Sequence, residues 1–159
     1  MKLITLTQEQ FTQVDDWNYE WLNQWKWFAH KNHSDEYYAK RSVSIKGKKH
    51  IIVMHQLILN TPQGFDSDHR NRNTLDNQEH NLRVCTNSQN QYNKKAWGGS
   101  KYKGVHFYQN RYVAQIQINK KKMYLGRFKT EEEAARTYDK KALELFGEFS
   151  NLNFKLNEE

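Results

Sequence analysis

Residues 101–154 constrain the fold of this chain more than any other segment, because three strand-like stretches are followed there by one helix with complete end signals. The middle stretch, RYVAQIQI at residues 111–118, alternates polar and apolar side chains, which is typical of a strand with one solvated face. Thr130 and Glu133 have the spacing of a capping box, and Gly147 supplies a stop signal. We therefore expect a three-stranded antiparallel sheet packed on one helix, within an α+β fold.

A strand, a long loop, a second strand and a helix are predicted in the centre of the chain. Residues 61–77 are rich in Asn, Asp and other turn formers, so they indicate a long structured loop with an embedded strand. Residues 81–84 read as the second strand, and Thr86 or Asn87 can cap the polar helix that follows. Loops of this length inside a compact domain usually carry function.

The N-terminal region is aromatic-rich. Asp15 or Asp16 can cap a short helix that places Trp17, Trp21 and Trp25 on one face. We interpret this face as packed, and the alternative is a platform on which bases stack. Two strands are predicted further along, at residues 37–45 and 50–53, with the turn-like sequence KGKK between them.

These segments predict two modules. Residues 1–49 form the N-terminal part of the first module and residues 50–96 its core. The sequence WGGS at residues 97–100 reads as a flexible linker, and residues 101–157 form the second module.

The positive charge is concentrated in one region. The formal net charge is +7, but residues 81–130 hold eleven Lys and Arg with no Asp or Glu, which leaves a charge of −4 for the rest of the chain. A regional basic surface attracts a phosphate backbone. A merely solvated charged face is the alternative, although such faces usually mix signs.

Cysteine usage and hydropathy limit where the protein can work. The single cysteine, Cys85, excludes an internal disulfide and a Cys-rich structural zinc site. No apolar run approaches the roughly 20 residues that a membrane span needs, and the N-terminal residues lack the apolar core of a signal peptide. We therefore expect a soluble protein of the cytoplasm, which would be the host cytoplasm if the gene is carried by a phage.

Four polar side chains could form a catalytic site. Asn81 lies twelve positions after His69, and Asn90 lies nine positions further on. A hairpin folded onto the following helix would bring these residues and Asp68 together. An imidazole can take a proton from water at neutral pH, and carboxylate and amide oxygens suit a hard divalent cation. The alternative is that Asp68, Asn81 and Asn90 are turn and capping residues and that His69 is a surface histidine. His55, in VMHQLIL, is interpreted as a packing residue.

The segment DHRNRNTLDNQEHNLRVCTNSQNQYN resembles the Asp-His, Asn, Asn pattern of the HNH family, in its phage and intron homing-endonuclease branch. The resemblance covers about residues 50–95 and implies a ββα-metal fold. It also implies that His69 is the general base, that Asp68 and Asn90 are metal ligands, and that Asn81 orients the histidine loop.

This resemblance predicts a homing or nicking endonuclease with one divalent metal, Mg²⁺ or Mn²⁺. It would hydrolyse a phosphodiester of double-stranded DNA to 5′-phosphate and 3′-hydroxyl ends. One active site per chain favours a monomer that nicks, whereas a dimer could cut both strands. The alternatives are a non-cleaving DNA-binding regulator on the same scaffold and a nuclease of RNA or structured DNA.

The second module carries its own family landmarks, in order: YKGV, AQIQI, YLGRF, EEEAARTYD and LNF. It resembles the plant Apetala-two/ethylene-response-factor DNA-binding domain, which inserts a three-stranded sheet into the major groove. The plant target is not inherited, because Lys, His, Gln and Tyr stand at several positions where the plant proteins have Arg and Trp. Glutamine favours adenine by a bidentate contact. The alternative to DNA recognition is that the alternating Gln residues only form the solvated side of the sheet. The positions implied to face DNA are Lys103, His106, Tyr108, Arg111, Gln115, Gln117, Lys122 and Tyr124.

Overall fold

The structure is a computed structural model that describes residues 1–94 and 100–154, and these residues form ten short strands and four α-helices. The chain divides into two units, residues 1–87 and residues 88–159. Mixed helices and small sheets are compatible with the expected α+β class. Three of the four residues of the predicted linker, Trp97 to Gly99, lie outside the described residues. No helix in the described part of the chain is long and apolar enough to cross a membrane.

The first unit combines three small antiparallel sheets with two short helices. Strands β1 and β2 pair with each other, β3, β4 and β5 form a three-stranded sheet in that order, and β6 pairs with β7. Its core contains Ile4, Val14, Leu22, Trp27 and Met54. The elements are β1 Lys2–Thr5, β2 Phe11–Val14, α1 Asp16–Asn23, β3 Phe28–Lys31, β4 Tyr37–Ile45, β5 Lys48–Val53, α2 Met54–Ile58, β6 Asp66–His69 and β7 Leu82–Cys85.

The predicted tryptophan face is only partly formed. Trp21 and Trp25 pack edge to face with ring centroids 5.8 Å apart, although Trp25 lies beyond the end of α1. Trp17 is 68% exposed and donates its indole N–H to Glu79, so the expectation that all three indoles pack was wrong for Trp17. Asp15 occupies the N-cap position of α1, but its carboxylate accepts the backbone N–H of Glu79 instead of capping the helix.

The second unit has the expected sheet and helix. Strand β9 lies between β8 and β10, and the buried side chains of Ala114 and Ile116 pack in clusters with residues of α4. The capping box of Thr130 and Glu133 is present at the start of α4. The elements are α3 Asn87–Tyr92, which begins at the division between the units, then β8 Val105–Tyr108, β9 Arg111–Ile118, β10 Lys121–Phe128 and α4 Glu131–Phe146.

Gly104, which directly precedes β8, permits the close approach of this strand to α4. Its φ is +76°, and a Cβ atom there would lie 1.9 Å from the ring of Tyr138 and 2.8 Å from the carbonyl oxygen of Gln115. We expect Gly104→Ala to reduce the free energy of unfolding by about 2 kcal/mol more than Gly147→Ala, because the new methyl must displace a buried ring and a backbone group. Gly147 is the matched control, since it also has a positive φ, +51°, but nothing lies within 4 Å of its Cβ position. Equal losses in denaturant unfolding would contradict this account.

Candidate active site

A two-stranded hairpin positions the predicted catalytic residues of the first unit. Strands β6 and β7 pair antiparallel, with Asp68 opposite Arg83 and His69 opposite Leu82. His69 is therefore the last residue of its strand, and the loop that follows it returns through a 3₁₀ turn, Glu79–Asn81, directly into β7.

Asn81 ties this loop together at both ends. Its backbone carbonyl accepts the N–H of Arg70 at 2.8 Å, and its side-chain oxygen accepts the N–H of Asn71 at 2.9 Å. Its side-chain amide donates to the carbonyl of Asp76 at 2.8 Å. Since Asn81 is 3% exposed, these bonds fix the backbone that leaves His69.

His69 is held among other rings in a buried position. The side chain is 4% exposed, and its ring centroid lies 4.7 Å from that of His55 and 6.4 Å from that of Tyr38. Burial lowers the pKa of His69, against the opposing effects of its hydrogen bond to Asn77 and of the nearby Asp68 carboxylate. The imidazole is therefore neutral at pH 7, which is the form that can accept a proton.

His55 is a neighbour that the sequence assigned only to packing. It is buried on α2, as expected, but the ring against which it packs is that of His69. Burial is the main cause that lowers the pKa of His55 to about 3, and the nearby His69 and Lys40 lower it further. His55 is thus neutral at physiological pH and adds no positive charge beside His69.

A series of buried hydrogen bonds connects His69 to strand β2. Asn77 and Thr12 are both 0% exposed. The Thr12 hydroxyl donates its single proton to the carbonyl of Leu75 at 2.8 Å, so it can only accept the 2.7 Å bond from Asn77, which must come from the amide nitrogen. The amide oxygen of Asn77 consequently faces Nε2 of His69 at 3.1 Å.

This series of hydrogen bonds selects the tautomer of His69. Because the oxygen of Asn77 is only an acceptor, Nε2 of His69 must carry the proton, and in the neutral ring the lone pair is then on Nδ1. Neither Asn77 nor Thr12 was among the site residues predicted from the sequence. Asn77 is one of many Asn residues in a turn-rich loop, and Thr12 lies 57 positions before His69.

Asp68 forms a buried ion pair across the hairpin. The Nε and Nη2 atoms of Arg83 lie 2.9 and 2.6 Å from Oδ2 of Asp68, and both side chains are buried. Charge-assisted bonds of this kind hold a carboxylate in one orientation. Arg83 also lowers the net negative charge that Asp68 contributes to the site.

The predicted metal ligands belong to different units. Asp68 lies on β6 in the first unit, whereas Asn90 lies on α3 in the second, and the role of Asn90 remains a prediction. Among residues 1–94 and 100–154, no group of three or more His, Cys, Asp or Glu side chains could hold a metal ion. The predicted ligand set uses one carboxylate and one amide, and its hard oxygen donors fit Mg²⁺ or Mn²⁺.

Seven of the eight positions predicted to face DNA share one face of the sheet in the second unit. Paired residues of an antiparallel sheet project to the same side, and the register pairs Gln115 with Tyr124 and Gln117 with Lys122. Tyr108 pairs with Arg111 at the end of the neighbouring hairpin. The seven are His106, Tyr108, Arg111, Gln115, Gln117, Lys122 and Tyr124.

Lys103, the eighth position, precedes the first strand of this sheet. Its ammonium donates to the backbone carbonyls of Tyr92 and Lys94, at the end of α3 and just beyond it. Its backbone is held by Asn153, which accepts its N–H and donates to its carbonyl. In this structure Lys103 therefore joins three segments of the second unit.

Comparison with known proteins gives one informative result. No protein-family model matches the chain. An uncharacterized HNH endonuclease of Acanthamoeba polyphaga mimivirus is similar to it, with 31% identity over 144 residues. The matched region covers 90% of this chain and 73% of the viral protein, so it includes most of both units.

Proposed function

Because this chain belongs to the HNH endonuclease family, we propose that it is a metal-dependent DNA endonuclease that hydrolyses one phosphodiester of duplex DNA to 5′-phosphate and 3′-hydroxyl ends. The observation that carries the proposal is the buried His69, whose Nε2 proton is donated to Asn77. Few structural needs explain a neutral histidine held at a strand end with its tautomer defined, whereas a general base requires both properties.

His69 acts as the base through Nδ1. Its lowered pKa leaves the ring unprotonated at neutral pH, so Nδ1 can take a proton from the attacking water. Asn81 holds the backbone that follows His69 and so restricts where the ring can point. Tyr38 and His55 pack beside the ring and restrict its rotation.

A single divalent cation fits the chemistry of the proposed ligands. Asp68 would hold it on the first unit, and when bound it supplies the positive charge that stabilises the transition state and the leaving 3′ oxygen. Arg83 orients the Asp68 carboxylate by two bonds to Oδ2. Since only one protein carboxylate is used and Arg83 offsets its charge, we expect tight metal binding to need the substrate phosphate as well.

The second unit selects the site in this proposal. It has the sheet and helix expected from the resemblance to the Apetala-two/ethylene-response-factor domain, and its exposed side chains are of types that bind bases and phosphates. Gln115 and Gln117 lie on one strand two residues apart, so both project from the same face. We assign base recognition to these glutamines and phosphate binding to Arg111 and Lys122.

The test is cleavage of supercoiled plasmid that carries a randomised insert, so that a missing target sequence cannot explain a negative result. We expect open circles in Mg²⁺ or Mn²⁺, none in EDTA, and little cleavage of a single-stranded RNA of similar length. The new 5′ ends should accept a kinase label only after phosphatase treatment. Specific DNA binding without cleavage in either metal would favour the non-cleaving regulator, and preferential cleavage of RNA would change the substrate.

A further inference from the structure

Strands β4 and β5 extend beyond the sheet as a two-stranded ribbon. Strand β3 pairs only with residues 37–40 of β4, whereas the pairing of β4 with β5 continues to Ile45 and Lys48. The connecting turn has φ of +50° at Lys46 and +74° at Gly47, as in the tight turns whose twist matches that of the strands. We call residues 41–52 the basic ribbon.

The charge of this region has one sign. Residues 37–65 contain no Asp or Glu and five Lys or Arg. Outside this segment and residues 81–130, the chain has nine basic and eighteen acidic residues. Within the described parts of the chain, no acidic side chain forms an ion pair with any of the five, which are Lys40, Arg41, Lys46, Lys48 and Lys49.

The ribbon has two different faces. Ser44 pairs with Lys49, and Ser42 pairs with Ile51, so these four residues project to the same side as Lys40 and Tyr38. Lys48 projects to the opposite side, which also carries Arg41 stacked at 4.0 Å over the ring of Trp25. The exposed strand ends therefore present one lysine on each face, Lys49 and Lys48, and Lys46 lies in the turn between the strands.

Only one of these faces continues from the catalytic histidine. The Tyr38 ring contacts those of His55 and His69, with centroids 5.8 and 6.4 Å apart. Along the same face, Ser42, Ser44 and Lys49 are exposed hydroxyl and ammonium groups, which are common phosphate ligands. From Tyr38 to Ser44 the strand rises about 20 Å, the length of roughly six base pairs.

We infer that the face of the basic ribbon carrying Ser42, Ser44 and Lys49 binds the DNA backbone on one side of the scissile phosphate. The inference rests on the proposed function, because it places the phosphate at His69. A two-stranded ribbon is narrow enough for the major groove, and the acid-free surface matches a polyanion. The nuclease unit thus contributes its own DNA contacts, in addition to those proposed for the second unit.

The test compares Lys49→Ala with Lys48→Ala, two substitutions that remove the same charge from adjacent positions on opposite faces. Binding of the full chain to a 20-base-pair duplex is measured by fluorescence anisotropy in EDTA, so that cleavage plays no part. We expect Lys49→Ala to weaken binding about fivefold and to reduce the slope of log K against log salt by about one. Lys48→Ala should change the affinity less than twofold.

Hydroxyl-radical footprints of both variants on nickable DNA locate the effect. Lys49→Ala should lose protection over about six base pairs on one side of the nick, with protection elsewhere unchanged. Equal effects of the two substitutions, or an unchanged footprint with Lys49→Ala, would overturn the assignment of this face while leaving the nuclease proposal intact. A wild-type protein that neither binds nor cuts duplex DNA would overturn both.

Discussion

Replacing His69 with alanine should slow metal-dependent nicking of plasmid by about 10² to 10⁴, the usual contribution of a positioned general base. The loss should appear in the rate of the cleavage step, with DNA affinity within about twofold of the wild type, because the buried ring offers little surface for binding. Rapid-quench cleavage under single-turnover conditions separates these two quantities.

His33 and added imidazole provide the controls for this result. His33→Ala removes an exposed imidazole of the same unit and should leave nicking unchanged. His69→Gly leaves a cavity in which free imidazole can act, so its activity should rise with imidazole concentration. Nicking by His69→Ala at the wild-type rate would remove the residue from the chemistry, even if plasmid cleavage itself is confirmed.

The elements of the second unit could be predicted because their signals are local. Alternation along residues 111–118 specifies which side chains face the helix, and the capping box lies within four consecutive residues. The burial of Ala114 and Ile116 agrees with that pattern, although Val113 on the opposite face is also buried. Such features need no knowledge of distant segments.

The environment of the candidate base could not be predicted in this way. Thr12 reaches Asn77 only because the loop that contains Asn77 bonds to β2, where the N–H of Asn77 donates to the carbonyl of Gln13. Arg83 meets Asp68 only when a fifteen-residue separation is closed by the hairpin. Both contacts depend on tertiary register, which residue types and spacing leave undetermined.

Lys103 shows a related limit. The resemblance implied a DNA contact, and a lysine in a basic segment fits that role by composition alone. In the structure its ammonium is bound to two backbone carbonyls. The sequence pattern can identify a residue type suited to phosphate, but the competing backbone acceptors lie at the end of α3 and just beyond it, which residue spacing does not place. A role for Lys103 in binding DNA stays a prediction.

Removing the hydrogen bonds that link Thr12, Asn77 and His69 should reduce nicking, because these bonds set the tautomer of the base. Asn77→Leu removes the acceptor of the Nε2 proton, so the proton can move to Nδ1, the nitrogen proposed to act as the base. We expect a loss of about 10² in the cleavage step. Asn77→Asp keeps an acceptor at the same place and should recover much of that loss. Thr12→Val lets the Asn77 amide rotate, for which we expect about tenfold, whereas Thr12→Ser retains the hydroxyl and should behave as wild type.

Nitrogen NMR of labelled histidine distinguishes this positioning role from a structural one. In the wild-type protein His69 should show a protonated Nε2 and an unprotonated Nδ1, and in Thr12→Val the two tautomers should mix. A role confined to packing predicts lower stability in Thr12→Val with the same tautomer and an unchanged cleavage step. That outcome would leave His69 as the base but would assign its orientation to its other contacts, among them Asn81, Tyr38 and His55.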